Sequence, residues 1–182
     1  NVVAVGTGAA IKNARNCDGD VLLVHSPKHE RKFVADGYAE KRYDVMYNDF
    51  VIVGPNKDPA GLSQIQDVTS AFEKIAMTDN KFVSRSDNSG THSKELSIWR
   101  EALLNPETGS GKWYFETGSG MGTTLNTAVG MSAYTLVDRA SWHSFSNKYD
   151  FRIILEGDKR LFNLYGIMLI SKDKCPTVKS KE

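Results

Sequence analysis

Apolar and polar positions fall in blocks along this chain, and the blocks predict a regular succession of strands and helices. Asn1 to Val5 is a β-branched run that Gly6-Thr7-Gly8 interrupts, and Ala9 to Arg15 follows with helix formers and apolar residues at Ala10, Ile11 and Ala14. A strand-like start leads to the expectation that a segment precedes Asn1. Asp20 to His25 has an uninterrupted apolar centre, Val21 to Val24, the pattern of a strand covered on both faces, as in a parallel sheet. Ser26-Pro27 opens a helix through Asp36, and Gly37 ends it. Asp44 to Pro55 is the most strand-like segment, centred on Phe50-Val51-Ile52-Val53.

Beyond the turn at Asp58 to Gly61, Val68 to Met77 reads as a helix and Phe82-Val83 as a short buried strand. A second helix carries Leu96, Ile98, Trp99, Ala102 and Leu103 at helical spacing. Trp113 to Glu116 leads into the glycine turn 117–122 and a helix to Met131. Ala133 to Val137 is a strand and Ala140 to Phe145 a short helix. Phe151 to Leu155 and Tyr165 to Ile170 are further strands, joined by a hairpin-like or extended connection, and a polar tail runs from Lys172 to Glu182. Strands alternating with helices predict an α/β protein with mostly parallel sheets.

Composition narrows the function classes. In 182 residues, 40% are apolar and 25% charged, which is ordinary for a globular chain. The 23 basic and 22 acidic residues leave a formal charge of +1, so no general electrostatic argument favours nucleic acid or an anionic membrane. Any anion site must be local. No apolar run reaches the ~20 residues of a membrane-spanning helix. Cys17 and Cys175 lack metal-ligand spacing; they read either as unrelated thiols or, in a secreted protein, as a pair tying the two ends together.

Several motifs fail on their own chemistry. Gly6-Thr7-Gly8-Ala9-Ala10-Ile11 has isoleucine where a dinucleotide fingerprint needs its third glycine. Gly109-Ser110-Gly111-Lys112 lacks the hydroxyl residue of a P-loop, because Trp113 stands there. His25 and His29 are four apart, but Pro27 lies between them and no third ligand is evident. No Gly-x-Ser-x-Gly elbow occurs, and no nucleophile, base and acid converge, so an enzyme has little support.

Three Gly/Ser/Thr turns remain, each between a strand or extended run and a helix. They are centred on Thr7 (with Gly8), on Ser89-Gly90-Thr91, and on residues 118–123 (with Gly120 and Met121). In open α/β sheets such turns gather at the carboxyl ends of strands, where ligands bind. Unpaired N–H groups at helix starts, hydroxyls and the single Arg85 suit a compact tetrahedral dianion. The competing reading makes Ser89 or Thr91 a helix cap and pairs Arg85 with Asp87.

The segments Val5 to Gly8, Asp20 to Pro27, Asp44 to Pro55, Val83 to His92, Glu116 to Gly122 and Tyr134 to Arg139 resemble the tungstate-binding proteins of bacterial ABC uptake systems. These are extracytoplasmic solute-binding proteins of the type 2 periplasmic-binding fold, related to molybdate and phosphate binders. The resemblance implies two α/β lobes, residues 1–48 and 172–182 forming the first and 49–171 the second. Asp49 to Pro55 and Tyr165 to Ile170 would be the crossing strands. It implies Arg85 and Thr91 as the main oxyanion contacts, with Ser89, Gly90, Gly120 and Met121 beside them and Thr7 and Gly8 from the first lobe. Family members have a Thr/Ser-rich strand end before the position of Asn1 and helices after that of Glu182, so the first lobe is expected to be incomplete here.

The function so implied is binding of tungstate, or of molybdate as its near-isosteric alternative. The protein would be a periplasmic or otherwise extracytoplasmic monomer. It would need no cofactor and no direct cation ligand, and its partner would be a membrane permease. The alternative keeps the fold but makes the chain a secreted or sensory domain for another anion or a metal complex.

Overall fold

A computed structural model describes residues 1–78, 80–87 and 89–179. Asn88 of the Arg85–Thr91 segment, and residues 180–182 of the expected first lobe, lie outside the described residues. The chain divides into two compact units, residues 1–48 with 163–182 and residues 49–162.

The first unit holds α1 (Thr7–Arg15), β1 (Val21–Val24), α2 (Pro27–Ala35), the first part of β2 (Tyr43–Pro55) and most of β7 (Phe162–Leu169). Strand β7 pairs antiparallel with β1, from Val21 opposite Leu169 to Val24 opposite Gly166. That pairing places residues 163–171 in the first unit, whereas the resemblance puts them in the second lobe as a returning strand. The core gathers Ala14, Leu22, Val24, Phe33, Met168 and Ile170. Cys17 and Cys175 form a disulfide across a sequence separation of 158, joining the end of α1 to the final segment. Beneath β7, Glu30 is fully buried and pairs with Arg42 while also accepting the Ser26 N–H.

Two expectations fail in this unit. Residues 1–6 form no strand, and Val2, Val3 and Val5 are exposed, because a β-branched run becomes a strand only when a neighbour takes its backbone groups. The continuous run Val21 to Val24 is not covered on both faces. Leu22 and Val24 enter the core, while Val21 and Leu23 remain about half exposed.

The second unit is built on the rest of β2. It pairs antiparallel with β5 (Thr135–Asp138) and with β6 (Phe151–Leu155). Here the continuous apolar run is buried on both faces: Phe50 and Ile52 join one cluster with Leu62, Phe72 and Trp99, and Val51 and Val53 join another with Leu125, Val137 and Trp142. Gly54 lets the backbone pass against the Tyr134 ring, with which a Cβ would collide. Asp49 accepts a two-pronged contact from Arg139, at 2.6 Å to each oxygen.

Beside this sheet, β3 (Phe82–Ser84) pairs parallel with β4 (Tyr114–Glu116), and Phe82 bridges in parallel to Tyr134. The helices are α3 (Val68–Met77), α4 (Gly90–Glu101), α5 (Met121–Met131) and α6 (Arg139–Ser144). Leu103 departs from the apolar face expected of α4, standing 93% exposed just beyond the helix end at φ 56°. The expected mostly parallel sheet is instead mixed. Only β3 and β4 pair as parallel strands among the described registers, since β2 meets β5 and β6, and β7 meets β1, running the opposite way.

Candidate functional site

The parallel pair β3 and β4 sets side by side two strand–turn–helix passages whose carboxyl ends point the same way. After β3 the chain makes the turn Ser84-Arg85-Ser86, and α4 begins at Gly90. After β4 it passes through Thr117-Gly118-Ser119-Gly120, and α5 begins at Met121. The two turns are stitched together. Thr117 N–H donates to the Ser84 carbonyl at 3.0 Å, and Ser119 N–H to the Arg85 carbonyl at 3.2 Å. The Thr117 hydroxyl reaches the Ser84 and Arg85 carbonyls at 3.1 and 3.3 Å. Gly118 sits at φ 58°, a conformation that favours glycine, and so reverses the chain tightly enough for these contacts.

Arg85 is part-buried, and its Nη2 donates to Asp87 Oδ2 at 2.6 Å. Its Nε is buried with no hydrogen-bond partner among the described residues. A charged donor left without an acceptor inside a protein is costly, so this N–H faces a place where an acceptor belongs. Six residues on, Thr91 is only 7% exposed, and no hydrogen bond of its hydroxyl occurs among the described residues.

Ser89 plays a different part. It is the N-cap of α4, its Oγ accepts the His92 N–H at 3.2 Å, and its hydroxyl donates to Asp87 Oδ1. Its proton is therefore already used, and the capping and Arg85–Asp87 pairing expected of the competing reading are both present. Burial pushes the Asp87 carboxyl up, but hydrogen bonds from Ser89 and Arg85 outweigh it and hold the group below the usual carboxylate range. The cap takes the third N–H of α4, leaving those of Gly90 and Thr91 outside it.

Gly120 caps α5 through its backbone alone, with no side-chain bond, so the first amides of that helix, from Met121 onward, have no capping side chain. Thr7 and Gly8 stand in the first unit at the start of α1, where Gly6 likewise caps without a side chain. The structure thus gathers Arg85, Ser89, Gly90, Thr91, Gly120 and Met121 at the ends of β3 and β4, with Thr7 and Gly8 in the other unit.

A buried layer behind the turn was not evident from motifs. Glu95 is 2% exposed and accepts from Ser84 Oγ at 2.7 Å, Tyr114 OH at 2.7 Å and Trp99 Nε1 at 3.2 Å. His92 Nδ1 lies 3.2 Å from Ser84 Oγ and 3.6 Å from Glu95 Oε2. The adjacent Glu95 carboxylate raises the His92 pKa against the opposing effect of burial. Burial and the nearby Glu95 charge push the Tyr114 phenol up. The sequence signal was the helical spacing of His92, Glu95 and Trp99, which puts a carboxylate on an otherwise apolar face. His25 and His29 are not a metal pair: His25 Nδ1 meets Asn163 Oδ1 at 2.9 Å and His29 Nδ1 meets Ser26 Oγ at 2.7 Å.

Comparisons with known proteins agree with this layout. The family described as the PBP superfamily domain matches residues 1–182. The tungstate-binding protein TupA of Peptoclostridium acidaminophilum is 46% identical over 175 residues, which is 95% of this chain and 60% of that protein. A putative ABC transporter anion-binding protein of Haloferax volcanii is 45% identical over 181 residues, 97% of this chain and 52% of its own length. The chain therefore spans little more than half the length of these curated relatives. The solved structure of the tungstate-binding protein TupA from Desulfovibrio alaskensis G20 superimposes with a TM-score of 0.90 at 44% identity, covering 97% of this chain and 72% of that one. The chain belongs to the PBP superfamily and, within it, to the family of the tungstate-binding proteins.

Proposed function

We propose that this chain captures a tetrahedral oxyanion, tungstate, outside the cytoplasm and delivers it to the membrane permease of an ABC transporter. The observation that carries the reading is the buried Nε of Arg85, a charged donor with no acceptor among the described residues, in the same strand-to-helix passage as Thr91 and next to the passage that opens α5. A dianion placed there gains a charge-assisted contact, a hydroxyl and several main-chain N–H groups at once. The names of the relatives, tungstate-binding protein and ABC transporter anion-binding protein, point to the same class of ligand.

The role proposed is capture by a monomer, without turnover and without a cofactor. Among the described residues no helix is long and apolar enough to cross a membrane, so a separate permease would carry the anion across. The Cys17–Cys175 disulfide supports an oxidising compartment. Molybdate shares the charge and shape of tungstate, and none of these donors distinguishes the two.

Isothermal titration of the protein with sodium tungstate tests the reading, with molybdate as competitor and sulfate as control. Saturable binding of tungstate, weak binding of sulfate, loss of binding in Arg85→Ala and weakened binding in Thr91→Ala are expected. Thr7→Ala tests separately whether the first unit contributes. No binding of either tungstate or molybdate overturns the reading.

A further inference from the structure

Glu95 is the feature of this unit that oxyanion capture does not by itself require. A carboxylate 2% exposed is costly unless its oxygens are saturated with donors, and Glu95 stands beside Trp99 and Tyr114. Two of its donors, Tyr114 OH and Trp99 Nε1, come from the core and go to Oε1. The third is different. Ser84 Oγ donates to Oε2 at 2.7 Å, and the same Oγ accepts the Ser86 N–H at 3.1 Å.

Ser84 and Ser86 flank Arg85 directly. Ser86 is held at φ 45°, a left-handed conformation that is unfavourable for a residue other than glycine. Its hydroxyl also donates to Glu116 Oε1 at 3.2 Å. The chain from Glu95 through the Ser84 hydroxyl to the Ser86 amide therefore fixes the backbone on both sides of the arginine. A long guanidinium side chain presents its Nε reproducibly only if its own backbone is fixed.

His92 shares this node. Its Nδ1 faces both Ser84 Oγ and Glu95 Oε2. The charged groups around it are Glu95 on its own helix, Asp87 in the preceding turn and Glu116 at the end of β4, and the polar group on β3 is Ser84.

We propose that Glu95 is a positioning residue for Arg85, acting through the Ser84 hydroxyl, and that His92 adjusts this hold by titrating against the same carboxylate oxygen. The proposal rests on Arg85 being an oxyanion contact. With His92 protonated, Nδ1–H reinforces the Glu95–Ser84 node and adds a positive charge behind the anion. The His92 pKa is raised above its ordinary 6.5. Oxyanion affinity is then greatest below that pKa and declines as pH rises through it.

Tungstate titration calorimetry on the wild-type protein, Ser84→Ala, Glu95→Gln, His92→Gln and Arg85→Ala, repeated between about pH 6.5 and 9, tests this, with thermal melting as a folding control. Ser84→Ala leaves the Glu95 contacts to Trp99 and Tyr114 in place, so it reads the relay even if Glu95→Gln fails to fold. We expect Ser84→Ala to weaken tungstate binding about tenfold, the loss of roughly one hydrogen bond's worth of preorganisation, with the melting temperature nearly unchanged. We expect the wild-type affinity to fall with rising pH and the His92→Gln profile to be flat. Ser84→Ala binding within twofold of wild type, while Arg85→Ala abolishes binding, overturns the positioning role alone. A flat wild-type profile overturns the role of His92. Arg85→Ala binding as wild type does, or no wild-type binding, defeats the underlying reading and the proposal with it.

Discussion

The passages from β3 into α4 and from β4 into α5 share a geometry but differ in chemistry. The first is dense with side chains: Arg85 and Asp87 pair, Ser89 caps the helix, and Glu95 and His92 lie behind. The second carries hydroxyls but no charged side chain: Thr117 and Ser119 bond main-chain carbonyls, Gly118 reverses the chain, and α5 has no side-chain cap. Both helix starts offer main-chain N–H groups, but only the first offers a fixed charge. In the proposed site, the difference divides the work along one sheet edge. A wired turn supplies orientation and charge, and a glycine turn supplies close, unhindered amides.

Substitutions can break this contrast. The largest effect is expected from Arg85→Ala, which removes the charge of the first turn and lowers tungstate affinity by about a hundredfold or more in calorimetry. Arg85→Lys restores only part of it, because an ammonium lacks the planar fork. Thr91→Ala removes one hydroxyl, and about 1 kcal/mol, or roughly fivefold in affinity, is expected to go with it. Ser89→Ala acts mainly on folding. Losing the cap lowers unfolding stability by about 1 kcal/mol in denaturant titration, with little change in binding, since its proton already belongs to Asp87.

The smallest effect is expected at the second turn. An added Cβ at Gly120 meets nothing within 4 Å, and its φ of −66° suits any residue. Gly120→Ala should therefore leave stability within about 0.5 kcal/mol of wild type. A marked loss of affinity with unchanged stability would sharpen the contrast, by showing that the anion sits against the amides of α5.

Much of this was legible in the chain itself. The 3.6-residue pattern at Val68, Phe72 and Ile75 matches α3 over Val68–Met77, and the apolar centre Phe50 to Val53 matches the buried half of β2. Strand direction was not legible. The run Val21 to Val24 and the run Phe50 to Val53 look alike as letters, yet one strand is covered on a single face and the other on both. Periodicity reports that a residue is apolar and not which neighbours arrive to cover it. The same limit applied to the site. Arg85 stood out by type, the resemblance joined Thr91 to it, and the Ser89 cap followed from its place before α4, but the contact of Glu95 with Ser84 joins two elements and no local pattern encodes it.

The disulfide between Cys17 and Cys175 has a consequence for the whole chain. Residues 49–162 lie entirely between the two bridged positions, so the second unit is spliced into a covalent ring. A single protease cut anywhere in that unit severs the backbone without releasing a fragment. Nicked protein would keep its full mass on a non-reducing gel and fall into two pieces only after the thiols are reduced. In a compartment rich in proteases, that ring turns a broken chain into one that still travels as a single molecule.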